Sequence, residues 1–117
     1  MSNEVLRIDS LLCERSSVDT GDEVLLRVDG DRVWPGVGER TYVLKSGQEI
    51  GLLKDVLFHT YAHVVVTLYD QDDLSADDDL GSVSIPAVEA GTGQHTRDIL
   101  GPDSHYKLTY RVGKIQF

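Results

Sequence analysis

Residues 64–81 read Val64-Val65-Val66-Thr67-Leu68-Tyr69-Asp70-Gln71-Asp72-Asp73-Leu74-Ser75-Ala76-Asp77-Asp78-Asp79-Leu80-Gly81. The first six residues are a β-branched and aromatic run suited to a central strand. The next ten carry six carboxylates and no basic residue. Beyond Gly81, Ser82-Val83-Ser84-Ile85 alternates polar with apolar, the signature of another strand. The stretch therefore reads as strand, acidic loop, strand.

The same alternation runs through the chain. Tyr106, Leu108, Tyr110 and Val112 share one face, and Lys107, Thr109 and Arg111 the other. Val24, Leu26 and Val28 form a second such face, and Leu6 and Ile8 alternate with Arg7 and Asp9. Shorter candidates lie at 32–34, 41–45, 49–53 and 95–100. No window of 11 or more residues holds a 3.6-residue period, so little helix is expected. Asp29-Gly30 is a tight hairpin cue. Pro35-Gly36, Ser46-Gly47, Gly91, Gly93 and Gly101-Pro102 punctuate the rest. With 117 residues and 12.9 kDa, one domain over 1–117 is expected. The expected fold class is all-β, an eight-stranded antiparallel β-sandwich.

The charge is local. Net charge is −9, from 20 acids and 11 bases. Residues 70–79 contribute −6 and residues 14–23 contribute −3, with four acids and one base, so the remaining ten acids and ten bases cancel. Such acidity excludes nucleic acid as a natural partner, because phosphates are repelled. There is no long apolar run and no visible secretory signal, which makes the cytoplasm the default compartment. A single cysteine, Cys13, excludes an intramolecular disulfide and a Cys-rich zinc site.

Six carboxylates within ten residues repel one another unless a cation is present. Calcium takes six to eight oxygen ligands, largely carboxylates and carbonyls. Asp70 and Asp72 are two apart at a strand end and point the same way while the chain stays extended. Ser75 offers a hydroxyl or carbonyl as the chain turns, and Asp78 returns a carboxylate to the same centre. A helix–loop–helix calcium site does not fit. Counted from Asp70, its required positions 5, 6 and 12 are Leu74, Ser75 and Gly81. A solvated acidic loop is the bland alternative.

From Val65 to Gly81 the chain resembles the third calcium loop of a C2 domain, the calcium-dependent lipid-binding β-sandwich. The shared pattern is apolar strand, Asp-x-Asp, a small polar residue, a further Asp, then apolar-apolar-Gly. The resemblance implies Ca2+ as the bound ion, with Asp70, Asp72 and Asp78 as ligands and Ser75 assisting. Asp19-Thr20-Gly21-Asp22-Glu23-Val24 resembles the first calcium loop. There Asp22 takes the second position, and Ser16 falls where the first is expected, so Asp19 substitutes. Tyr106–Val112 resembles the closing strand. Calcium is thus expected between loops 14–22 and 70–79.

Three functions compete. A calcium-dependent membrane binder would place Leu74 and Val18 against phospholipid, although Asp73 is acidic and no polybasic stretch attracts anionic lipid. A calcium-stabilised interaction or assembly module would use the ion structurally, with a protein partner and an open oligomeric state. A calcium-assisted hydrolase is disfavoured, because no nucleophile motif, phosphate loop or zinc-spaced histidine pair is present. The chain is therefore expected not to be an enzyme. His59 and His63 read as rim residues, and His105 as a half-exposed neighbour of Tyr106. Cys13 reads as a buried thiol, Trp34 as a packing aromatic, and Asp77 and Asp79 as solvated flanks of Asp78.

Overall fold

The computed structural model describes residues 3–58, 62–71 and 77–115. The order is β1 (Glu4–Arg15), β2 (Asp22–Val28), β3 (Asp31–Trp34), β4 (Tyr42–Leu44), β5 (Glu49–Leu57), β6 (His63–Asp70), β7 (Asp78–Pro86), β8 (Gln94–Leu100) and β9 (His105–Lys114). A 3-10 turn at Ala87–Glu89 is the only helical element among the described residues. One sheet runs β5-β1-β9-β8. The other runs β3-β2-β6-β7, with β4 also on β2. Every pairing is antiparallel. The all-β sandwich expected from the alternation is what forms.

Nine strands stand where eight were expected, and the edge of β2 explains the difference. β3 pairs with the late half of β2 (Leu26 opposite Trp34), and β4 with its early half (Val24 opposite Tyr42). They are two pieces of one edge strand, interrupted by residues 35–41. Pro35 offers no N–H to a ladder. Its carbonyl instead accepts from Arg32 Nε at 2.7 Å, and Arg32 Nη2 donates to the Glu39 carbonyl at 3.1 Å. Trp34 is buried and stacks on Tyr42 at 5.3 Å between centroids, so it packs rather than presents itself to a partner.

The core follows the period-two pattern. Tyr106, Leu108, Tyr110 and Val112 are all buried from one sheet, and Val64, Val66 and Leu68 from the other. Each such side chain contributes about 1.5–3 kcal/mol by leaving water. In β1 the inward set changes phase. Leu6 and Ile8 are followed by Leu11 and Cys13, because the register shifts between Ile8 and Ser10. One extra residue there flips the later side chains to the core face, which is why Leu11-Leu12-Cys13 broke the alternation.

This topology gathers loops 16–21, 45–48 and 101–104 at one end, beside the facing ends of β6 and β7. The Asp29-Gly30 turn, with φ of 50° and 88°, and the Ala87–Glu89 turn lie at the other. Two positive φ values match the tight hairpin expected there.

Candidate functional site

The site is built on register. Asp70, the last residue of β6, lies opposite Asp78, the first pairing residue of β7. On its other side Asp70 lies opposite Val24 of β2, two residues from Asp22. The two acidic segments, 47 or more residues apart in sequence, thus meet at one end. Asp72, Leu74 and Ser75 fall outside the described residues, as does His59.

Asp70 is half-buried, and one of its oxygens accepts the Glu23 backbone N–H at 2.9 Å. Burial pushes its carboxyl up from the ordinary value. The Glu23 hydrogen bond opposes that push, and the negative charges of Asp22, Asp78 and Glu23 add to it. Asp70 is a half-buried carboxylate among like charges.

Asp22 is different. It is fully buried, and its Oδ2 accepts both the Ser17 N–H at 2.9 Å and the Tyr106 hydroxyl at 2.5 Å. The Ser17 hydroxyl donates to its Oδ1. A carboxylate has about four acceptor positions, so these three bonds leave one. Loop 16–21 is wound around this anchor. Ser16 Oγ donates to the Val18 carbonyl at 2.6 Å, and the Ser16 N–H reaches Ser46 Oγ at 3.0 Å. Gly21 has φ +96°, and a Cβ there would stand 2.9 Å from the Leu44 carbonyl oxygen, so only glycine fits.

Asp19 and Val18 are exposed on the same loop, away from the anchor. Asp78 is exposed. Asp79 Oδ1 accepts the Gly81 N–H at 2.7 Å and closes the start of β7. Among the described residues, no group of three or more His, Cys, Asp or Glu side chains is placed to share one ion. Ser17 and Tyr106 were missed by sequence reasoning. Tyr106 carried a usable signal, since an inward tyrosine at a strand end needs a partner for its hydroxyl. Its hydroxyl is pushed far up by burial and by the bond to Asp22, so it stays a donor.

No protein-family model and no curated protein matches the sequence. Solved structures do. The first C2 domain of plant Extended Synaptotagmin 1 superimposes with a TM-score of 0.58 at 9% identity, over 97% of this chain and 95% of that one. The fold is C2-like. The two-domain C2 structure of Extended-Synaptotagmin 2 gives 0.53 at 18% identity, over 97% of this chain and 42% of that one. Human GIVD cytosolic phospholipase A2 gives 0.51 at 15% identity, over 97% and 17%. In this C2-like sandwich the acidic end is formed by loop 16–21 and the facing ends of β6 and β7. No described helix is long and apolar enough to cross a membrane.

Proposed function

We propose that this C2-like domain is a calcium-dependent interaction module, with calcium held between loops 14–22 and 70–79. The observation that carries the reading is the placement of Asp70 opposite Asp78, beside buried Asp22, with the Asp70 carboxyl raised by burial and by those charges. A cation relieves that repulsion. Asp70 and Asp78 bring carboxylates from the facing ends of β6 and β7. Asp22 brings its charge and at most one further lone pair. Asp72 and Ser75 complete the set on the sequence pattern, and Asp19 lies at the rim. When bound, calcium supplies charge neutralisation and ties the third loop to the first. With two ions the net charge falls from −9 to −5.

Calorimetric titration with calcium tests this. Heat is expected from the native chain and none from the Asp70→Asn/Asp78→Asn double variant. Absence of heat from the native chain at millimolar calcium contradicts the proposal.

A second reading, calcium-dependent membrane binding, is favoured by Val18, a loop-tip residue 52% exposed. Against it stand the additional carboxylates of Asp19, Asp79 and Asp103 at the same end. Sedimentation with phosphatidylserine vesicles separates the two. Pelleting in calcium but not in EGTA supports the membrane reading, and no pelleting in either leaves the protein-partner reading in place.

A further inference from the structure

The outward face of the β5-β1-β9-β8 sheet carries a like-charge pair. Arg7 of β1 lies directly opposite Arg111 of β9. Like charges opposite each other destabilise a sheet. Each arginine is held by a carboxylate. Arg7 Nε and Nη2 donate to Asp55 at 2.8 and 3.0 Å, and Arg111 Nε donates to Asp9 at 3.2 Å. A cleft of about 260 Å³ opens in the same face, lined by Val5, Arg7, Asp55, Arg111, Gly113 and Lys114. Gly113 stands opposite Val5, in the row beside the two arginines. Its φ is not in the left-handed region, and a Cβ added there would meet nothing within 4 Å. Neither backbone nor packing asks for glycine at this place. A glycine within a strand weakens it, and it often marks the close approach of a ligand. Here the space that a side chain would fill is the cleft itself.

We infer that this cleft binds the phosphate monoester group of a soluble ligand, at a site separate from the calcium loops. Three cations and one carboxylate line it, a net +2 that neighbouring Asp9 lowers to +1. A phosphate monoester brings about −1.5 to −2 at neutral pH. A guanidinium carries five N–H donors in a planar fork, more than one carboxylate can use. Asp55 and Asp9 therefore act as supports that fix the forks, and the remaining donors serve the phosphate oxygens. The ligand is compact and soluble because the face as a whole has no excess charge. Beside the two arginine pairs, Lys107 is paired with Glu14 and His105 with Asp98. A broad anionic surface such as a membrane gains little from balanced pairs. A single phosphate that enters the cleft reaches Arg7, Arg111 and Lys114 together. Nor does the acidic end repel it. At about 3.3 Å per residue, β1 carries Arg7 about 30 Å from loop 16–21. That is well beyond the screening length of about 8 Å at physiological salt.

The test is amide-shift NMR of the native chain in EGTA, titrated with N-acetyl-phosphoserinamide, with N-acetyl-glutamic acid amide as the carboxylate comparator. Saturating shifts are expected at Val5, Arg7, Arg111 and Gly113, with a dissociation constant on the order of millimolar. The carboxylate should shift the same amides at least threefold less at equal concentration. Gly113→Val fills the cleft with a residue that suits a strand. It should melt no lower than the native chain and lose at least tenfold in phosphate affinity. Arg111→Gln should weaken binding at least threefold, and it carries the same comparison if Gly113→Val melts lower. No saturating shift at these amides overturns the inference. So does an equal response to the carboxylate, native affinity in Gly113→Val or in Arg111→Gln, or sedimentation of the native chain with phosphatidate vesicles in EGTA. Calcium is absent throughout and no cleft residue belongs to the proposed calcium site, so the outcome is independent of calcium binding.

Discussion

Asp70 and Glu89 are two partly buried carboxylates at opposite ends of one sandwich, and their surroundings differ. Glu89 accepts the Tyr110 hydroxyl at 2.7 Å and Arg97 Nη2 at 3.0 Å, and His95 Nδ1 lies 3.7 Å away. Burial alone would raise its carboxyl, but the hydrogen bonds from Tyr110 and Arg97 and the charges of Arg97 and His95 hold it below the ordinary value. Glu89 in turn pushes the Tyr110 hydroxyl, already raised by burial, up to about 12. Asp70 faces Asp22, Asp78 and Glu23, and its carboxyl is raised. One end is closed by its own cations and hydroxyls. The other collects carboxylates around Asp22, whose partners are neutral donors. The difference separates a carboxylate whose charge is balanced by its own neighbours from one that faces like charges.

The comparison is broken most severely at Asp22. Asp22→Ala leaves the Ser17 N–H, the Ser17 hydroxyl and the Tyr106 hydroxyl without an acceptor. A loss of about 3 kcal/mol is expected from urea unfolding, with Tyr106→Phe costing about 1 kcal/mol. If Asp22→Ala unfolds at the native urea concentration, Asp22 is not the anchor of this end.

At the balanced end, Glu89→Gln should cost about 1 kcal/mol at pH 7 by weakening the hydrogen bonds to Arg97 and Tyr110. The folded carboxyl lies below its unfolded value, so this stability is present above the ordinary 4.5 and lost as pH falls through the folded value. The gap between native and variant should therefore narrow below about pH 4.5. A gap independent of pH from 7 to 3 would show that the Glu89 charge plays no part.

At the acidic end the sign reverses. A raised carboxyl means the folded state holds its proton more tightly than the unfolded chain, so ionised Asp70 destabilises the fold at neutral pH. In EGTA, Asp70→Asn should stabilise slightly, by less than about 1 kcal/mol because solvent screens the charges. The gain should shrink as salt is added. A loss of stability in EGTA would mean that the Asp70 charge already has a partner.

Much of this contrast was legible in the chain. The strands at 82–85 and 106–112 could be read because one face of each is buried and the other is wet, and the strand at 64–69 because it is a β-branched and aromatic run. The bulge in β1 was not, since an extra residue reads simply as a broken pattern. That β3 and β4 share one edge of β2 was also hidden. Residues 32–34 and 41–45 look like separate strands, and only pairing shows them as one interrupted edge. The meeting of the two acidic segments was expected from their place on a sandwich. That Asp22 is held by Ser17 and Tyr106 was not, because Tyr106 lies 84 residues away and sequence spacing carries no such distance. The closed network around Glu89 joins a 3-10 turn to β8 and β9, and nothing in local sequence marks it.

The most direct measurement is the melting temperature in millimolar calcium and in EGTA, for the native chain, Asp70→Asn/Asp78→Asn and Glu89→Gln. Binding to the folded state alone stabilises by about 2.7 kcal/mol at a hundredfold excess over the dissociation constant. The native chain and Glu89→Gln should therefore melt several degrees higher in calcium, and the double variant should melt alike in both. Equal melting temperatures of the native chain in calcium and EGTA, or a calcium shift that survives in the double variant, would contradict a calcium site at the acidic end.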